Sequence, residues 1–382
     1  MPTAVVVGAG LAGLATAGAL ARSGWSVVLL ESAERIAAPP TALVLWANGR
    51  RALESLDPDG GWSAIATPVP DGGVRRPDGQ WLITPRAATG PSSVHLEDLY
   101  DALVAGLGDR VEVRTGFPVT TIRTGRRLRP VVGDGRTEIE ADLIVAADGI
   151  DSAIRRALAP ESAAVGSGFA AWQAVIPGFR VPKLAADQAA GGETLGAGYR
   201  FAAVPLGERA AGRGGVYWVA TAAGAPRPEP PETQLALLRR WFAGWHPPVG
   251  ELLAATHAAE LVPREVRELR PLPRAYTFPS GPGGVVLLGD AAHAMPHHLS
   301  QGACLAFEDA DTLRALVGQA APGDDLVAAL ESYNRLRRPR TAGVVRQTRR
   351  MAAVVQARGR LALRARDAAL SHLRPRLLEP PD

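Results

Sequence analysis

The sequence predicts an α/β fold: a parallel sheet, interrupted by an inserted, mainly antiparallel sheet and closed by C-terminal helices. Three observations carry that prediction. The first 31 residues read strand, glycine turn, helix, strand. Two later runs, Leu143–Ala147 and Val285–Leu288, are as uniformly apolar as parallel strands covered on both faces must be. Between residues 166 and 275 the texture changes to short alternating strands separated by Gly/Pro-rich loops.

In the opening unit, Val5–Val7 ends at Gly8, and Gly8, Gly10 and Gly13 follow in G-x-G-x-x-G spacing. Leu11 to Arg22 is Ala/Leu-rich and helical, Ser23-Gly24 stops it, and Val27–Leu30 reads as a second buried strand ending on Glu31. In that context Gly8 makes the turn, Gly10 lets the backbone approach a pyrophosphate, and Gly13 lets the helix lie close to the sheet. The helix N-terminus offers free N–H groups and a positive dipole end to the phosphates. Glu31, eighteen residues past Gly13, stands where a carboxylate takes a ribose hydroxyl pair. The unit predicts dinucleotide binding; a Gly/Ala-rich structural helix is the alternative.

The remaining elements follow in order. Ala42–Asn48 leads into a helix to about Leu56, which Asp57-Pro-Asp-Gly-Gly61 breaks, and Pro70–Ile83 reads as a hairpin around Pro77-Asp-Gly79. His95–Leu107 has a helical period, Val111–Arg114 is a strand, Val119–Ile122 opens another β unit, and Gly133-Asp-Gly135 turns into Thr137–Ala147. The inserted region holds strands at Phe169–Ile176, Tyr199–Val204 and Val216–Ala220, with one helix from Glu232 to Trp245. A long helix covers about Ala303–Leu316, and more helices run to the end. The expected division is 1–68, 93–165 and 276–382 for the nucleotide domain with its C-terminal helices, and 69–92 with 166–275 for a substrate-binding sheet.

Composition narrows the partners. At 382 residues, 47% apolar and 21% charged, the chain is an ordinary globular protein. Lys183 is the only lysine; arginine supplies the other basic residues, more a codon habit than a binding surface. Thirteen arginines against one acid, Asp367, put about +12 between Arg335 and Arg376, so with +4 overall the rest of the chain is near −8. No nucleic-acid fold accompanies that segment, and a solvated helical face is expected. The single cysteine, Cys304, excludes an internal disulfide and reads as a small core residue. No signal-peptide n-region and no long apolar stretch are apparent, so a cytoplasmic protein without a membrane span, monomer or homodimer, is expected.

Two further motifs carry chemistry: Asp142-Leu-Ile-Val-Ala-Ala-Asp148-Gly149-Ile-Asp-Ser152-Ala-Ile-Arg155, and Gly289-Asp290-Ala-Ala-His293-Ala-Met295-Pro296 followed by Gln301-Gly302-Ala303-Cys-Leu-Ala-Phe-Glu308-Asp309. With the opening motif, in this order and across nearly the whole chain, they resemble the group A, single-component FAD-dependent aromatic monooxygenases of the para-hydroxybenzoate hydroxylase fold. Trp218 and Trp245-His-Pro-Pro248 resemble the salicylate-hydroxylase-like branch. The resemblance makes the opening unit the Rossmann-like FAD-binding core. It implies that Gly8, Gly10, Leu11, Ala12, Gly13 and Glu31 hold the ADP half of FAD, with Val119 a backbone contact to the adenine. Asp148-Gly149, completed by Ser152 and Arg155, would serve FAD and a transient NADPH or NADH. Asp290, after Gly289, would bond the ribityl chain. Pro296 and the helix starting at Gln301, Gly302 and Ala303 would meet the flavin ring, where a helix N-terminus stabilises the anionic reduced form. His293 would be structural, since no metal-ligand spacing surrounds it. Asp148 and Asp290 could alternatively cap strand-to-helix turns.

The implied reaction is hydroxylation or epoxidation of a small aromatic or polycyclic substrate, with NAD(P)H reducing the flavin and O2 reacting at its C4a position. Trp46, Gln173, Tyr199, Phe201, Tyr217, Met295 and His298 would line the substrate pocket. The chain departs from the family where an arginine usually follows the histidine of Val94-His95 (here Leu96), at Gln173 (commonly arginine), at His297 (usually proline) and at Ser300 (usually glycine). His297 and His298 are therefore the candidate catalytic pair, able to steer a phenol or enol proton near pH 7; the plainer expectation is two solvent-exposed loop histidines. A non-redox role for FAD in a cyclase-like or binding protein is the alternative function, and nucleic-acid binding through the arginine-rich segment a third.

Overall fold

A computed structural model describes residues 1–57, 61–70, 73–85, 90–185, 188, 191–207, 214–224 and 229–372. Five parallel strands, β1 (Thr3–Val7), β2 (Ser26–Leu30), β8 (Val111–Arg114), β12 (Leu143–Ala146) and β19 (Gly283–Leu287), form a sheet in the order β19-β12-β1-β2-β8. Antiparallel β18 (Thr277–Ser280) extends it beyond β19. The central strands are sealed on both faces, which is why their sequences are continuous apolar runs rather than alternating ones. Helix α1 (Leu11–Arg22) crosses from β1 to β2 and buries nine consecutive residues, Gly13 to Ala21. Its Ala and Gly content lets it lie this close. Trp25, fully buried after the helix, donates its indole N–H to the Val317 carbonyl at 3.2 Å.

Helices α2 (Ala47–Leu56), α3 (Trp62–Ile65), α4 (Leu96–Ala105) and α5 (Ala153–Leu158) flank this layer. Two small sheets lie beside it: β3 (Ala42–Leu45), β7 (Ser92–His95) and β4 (Thr67–Pro68), and β9 (Thr121–Gly125), β10 (Leu128–Gly133) and β11 (Glu138–Glu140). The strand expected from Val119 begins at Thr121.

The inserted sheet has seven strands, in the order β17-β13-β16-β15-β14-β5-β6. They are β5 (Val74–Arg75), β6 (Trp81–Ile83), β13 (Ala163–Pro177), β14 (Gly192–Leu195), β15 (Tyr199–Leu206), β16 (Gly215–Ala223) and β17 (Val262–Arg270). All pairings except β14–β5 are antiparallel. One face, with Trp172, Phe201, Trp218 and Ala220, packs on α6 (Pro231–Trp241) and α7 (Val249–Ala255) through Leu238, Phe242 and Leu252. Each such large side chain contributes roughly 1.5–3 kcal/mol on burial. The opposite face carries Phe169, Ala171, Tyr217, Val219 and Val266. The single helix expected to reach Trp245 ends at Trp241, with Gly244 left-handed at φ 76°, and α7 follows the Pro247-Pro248 pair.

Helices α8 (Asp290–His293), α9 (Gly302–Val317), α10 (Asp324–Val355) and α11 (Arg360–His372) complete the chain. The arginine-rich segment was expected to be a solvated face, and half of it is something else. Arg337 and Arg340 bind Glu308, Arg349 binds Glu268, and buried Arg366 donates to the Gly196 and Leu195 carbonyls at 2.7 and 3.2 Å. These arginines tie α10 to α9 and to β17, and α11 to the end of β14, while Arg346 faces solvent. Among the described residues no helix is long and apolar enough to cross a membrane.

Candidate functional site

Parallel strands end on one edge, so the turns after Val7, Leu30, Ala146 and Leu287 lie side by side. That edge includes the point where chain order reverses, with β1 between β2 and β12, the crevice in which open α/β sheets bind ligands. The three motifs touch there. A Cβ on Gly8 would lie 2.4 Å from the Ala147 carbonyl oxygen, one on Gly13 only 1.8 Å from that of Gly8, and one on Gly289 3.1 Å from the Ala12 methyl. Gly10 faces open space, its nearest neighbour being the Tyr100 hydroxyl at 3.9 Å from a built Cβ.

The donor and acceptor set of this edge fits FAD. No side chain caps α1, so the N–H groups of Leu11, Ala12 and Gly13 remain for an anion. The Glu31 carboxylate is fixed by the N–H groups of Ala9 (2.8 Å) and Ala33 (2.9 Å) and by Ser32 Oγ (3.1 Å), with lone pairs left for hydroxyls. Val119, half-buried next to that end, keeps its backbone groups unbonded among the described residues. Asp148 Oδ2 accepts the Ala153 N–H at 3.0 Å, and Oδ1 is buried without a partner. Burial raises its pKa, partly offset by hydrogen bonds from Ser152 and nearby N–H groups. The capping alternative is thus half right: one oxygen caps, the other is free. Gly149, at φ 75°, continues the turn.

Arg155 lies inside the protein. It is 1% exposed and donates to the carbonyls of Ile150 (2.5 Å) and Ala291 (3.4 Å), tying the second motif to the third. Ser152 caps α5 by accepting the Arg155 N–H at 2.9 Å.

Gly289, at φ 54°, turns the chain into Asp290. Its N–H donates to Asp309 Oδ2 at 3.0 Å, which also receives His293 Nε2 at 2.6 Å, while Asp309 Oδ1 receives Arg337 Nε at 2.7 Å. His293 is therefore structural. Asp290 keeps an exposed face although protein crowds it, as on a groove floor. Burial raises its pKa, against the opposing charges of His293, Arg264 and Arg155. The N-terminus of α9 has no side-chain cap, leaving the N–H groups at Gly302 and Ala303 available; Gln301 accepts Asn48 Nδ2 at 3.0 Å and holds its own Nε2 buried and unpartnered. Pro296 is buried next to this end. Cys304 is a core residue, its thiol pushed up to about 12 by burial. Among the described residues no group could hold a metal ion.

The substrate side differs from expectation. Gln173 and Tyr217 lie on the sheet face that carries Phe169, toward the groove. Tyr199 and Phe201 do not. Strand alternation turns them to the helix layer, where Tyr199 meets Trp241 and Phe242 and Phe201 stacks on Trp218 at 5.4 Å. Arg200 takes the groove face instead, 6% exposed, paired to Glu193 at 2.5 Å with Nη1 unpartnered. Trp46 heads α2 with its indole N–H buried and unbonded, and Met295 packs against Thr348 of α10 at 3.8 Å.

His297 and His298 are not a solvent-exposed pair. They form a 3-10 turn ending at Ser300, itself left-handed at φ 50°, where the family's glycine fits without strain. The two rings stack at 5.2 Å and both meet Phe169 edge-on, at 5.8 and 4.7 Å. Burial lowers the His297 pKa to about 3, helped by Arg200 and Arg264, and drives His298 well below the usual range. Burial thus disfavours the protonated form of both rings. The residues missed from the sequence (Phe169, Arg200, Arg264) are legible only once strand parity is known, while Asp309 stood in a quoted motif with no role attached.

Comparison with known proteins agrees with this geometry. A family model described as FAD binding domain matches residues 109–348, and one described as NAD(P)-binding Rossmann-like domain matches 6–39. The chain is similar to aurachin C monooxygenase/isomerase of Stigmatella aurantiaca, 31% identical over 88% of this chain and 85% of that one. It is 32% identical to 2-heptyl-3-hydroxy-4(1H)-quinolone synthase of Pseudomonas aeruginosa, over 85% and 83% of the two chains. Among solved structures, Klebsiella pneumoniae HpxO complexed with FAD and uric acid superimposes with a TM-score of 0.81 at 26% identity, covering 99% of this chain and 95% of that one.

Proposed function

The chain belongs to the single-component FAD-dependent monooxygenases, and from that premise we propose that it oxygenates a planar, fused-ring aromatic held between the FAD edge and the groove face of the inserted sheet. The observation that carries the substrate reading is that sheet face itself. On that face Gln173 and Tyr217 are partly exposed polar groups, and Phe169, Ala171 and Val219 form the buried apolar backing behind them, packed with His298 and Ala352. Relatives named for aurachin C, a quinolone and uric acid act on or bind molecules of that shape.

Bound FAD would supply the hydride acceptor for NADPH or NADH and the activation of O2. The chain's own work is to bind, orient and exclude water. Gly8 to Gly13 and Glu31 would hold the adenosine end of FAD, Asp148 and Asp290 would bond its middle, and the α9 N-terminus would offer its N–H groups to the ring. His297 and His298 serve as hydrogen-bonding and stacking groups at the wall, shaping the pocket rather than carrying a proton. The nicotinamide requirement and the one buried cysteine favour a cytoplasmic setting.

The test is O2 and NAD(P)H consumption by the flavin-loaded protein across fused heteroaromatics, with product mass. Substrate-dependent consumption and a gain of one oxygen atom are expected; flavin that NADPH and NADH both fail to bleach would point to a non-redox role. His297→Ala and His298→Ala should each lower the coupling of NAD(P)H oxidation to product, and unchanged rates and coupling for both would remove them from the pocket.

A further inference from the structure

We propose that Arg264 reaches from the inserted sheet into the cofactor groove and binds the phosphoanhydride of a dinucleotide, supplying the cation that this chain lacks at Leu96. The inference rests on the reading of the groove as an FAD site.

The groove needs a cation. Glu31, Asp148 and Asp290 line it, and a diphosphate adds negative charge that the α1 dipole offsets only in part. Leu96, directly after His95 at the start of α4, supplies no charge. Arg155 is buried and donates to two carbonyls with its Nε unpartnered, and Arg200 is buried and paired to Glu193 with its Nη1 unpartnered.

Strand register brings Arg264 to the groove. It pairs with Ala171 on β13, and Val266, two residues on, packs with Phe169 and Ala171 on the groove face, so Arg264 shares that face. Its neighbours on β17 are committed: Arg267 to Asp151 at 2.8 Å and Arg270 to Glu268 at 2.8 Å. Arg264 is exposed and makes no hydrogen bond or ion pair among the described residues.

Four groups on four elements feel its charge. They are Tyr100 on α4, Asp290 on α8, Tyr217 on β16 and His297 in the 3-10 turn. Tyr100 lies one helical turn beyond Leu96, on the same side of α4. Its hydroxyl is also the nearest neighbour of Gly10 at the phosphate turn. The arginine's charge is therefore felt where a side chain at position 96 would act, but it arrives from the opposite wall. A phosphate held this way ties the cofactor to the inserted sheet as well as to the domain that carries the glycine motif.

Two molecules present such a group: FAD and the nicotinamide cofactor. The experiment titrates FAD into apoprotein by flavin fluorescence and, separately, NADPH and NADH into holoprotein. Arg264→Ala should weaken FAD by about ten- to hundred-fold, Arg264→Lys should recover part of the loss, and Arg264→Ala with Leu96→Arg should recover more. Arg267→Ala, whose partner is Asp151, should leave FAD binding unchanged. FAD binding unchanged in Arg264→Ala with nicotinamide binding weakened at least tenfold would assign the contact to the nicotinamide cofactor. Both within about twofold of wild type would overturn the proposal. Wild-type apoprotein that takes up no FAD would instead refute the reading of the groove.

Discussion

On the nucleotide side of the groove the turns are held by committed bonds: Glu31 receives Ala9 and Ala33, and Asp309 receives Gly289, His293 and Arg337. On the sheet side, both ring nitrogens of His298, one of His297 and the outer nitrogen of Arg200 are buried without partners. An unpaired buried polar group costs about 1–3 kcal/mol. The first wall is therefore the more locked, although Asp148 Oδ1 and Gln301 Nε2 there are also buried without partners, while the second gathers four unpartnered nitrogens at the expense of stability.

The largest test of the locked wall is Arg337→Met, which leaves Asp309 charged, buried and stripped of its guanidinium. Urea unfolding should show a loss of about 3–5 kcal/mol with falling flavin content; unchanged stability would mean the network is decorative. Strand parity makes a prediction of similar size for the other wall. Phe201→Ala should cost about 3–5 kcal/mol and leave substrate preference alone, whereas Tyr217→Phe should shift substrate affinity with little change in stability. The reverse pattern would invert the faces.

Gly13→Ala comes next, because its Cβ would fall 1.8 Å from the Gly8 oxygen. Overpacking there should cost about 1–3 kcal/mol and lower FAD occupancy, read from the flavin-to-protein absorbance ratio. The histidine pair predicts a pH dependence. Their native pKa values lie below the unfolded one, so below about pH 6.5 the unfolded chain binds protons that the native chain refuses. Stability is full above that range and falls as pH drops toward 3, near the native value of His297. The double variant His297→Gln, His298→Gln should flatten the fall; an identical slope would place the rings in water. The smallest effect is expected at exposed Arg346, where glutamine should change stability by less than about 0.5 kcal/mol.

The locked wall was legible in the sequence because its requirements are local. A glycine that must approach a carbonyl, an acid at a strand end and an uncapped helix start each occupy fixed positions in a short segment. The open wall was not, because which side of β15 faces the groove depends on pairing with β16 and β14. One residue of parity exchanged Tyr199 and Phe201 for Arg200. Charge counting likewise failed on the tail, where the partners of Arg337, Arg349 and Arg366 lie from 29 to 170 residues away in sequence. The buried state of His297 and His298 depends on Phe169, more than a hundred residues earlier in the chain.

The most direct measurement is the flavin spectrum and stoichiometry of purified protein, before and after reconstitution with FAD, for the wild type and for Glu31→Ala combined with Asp290→Ala. One FAD per wild-type chain, lost in the double variant, is the predicted result. A colourless wild-type protein that takes up no added FAD, or a double variant that holds it as tightly, would contradict the convergence of the three motifs on a single cofactor.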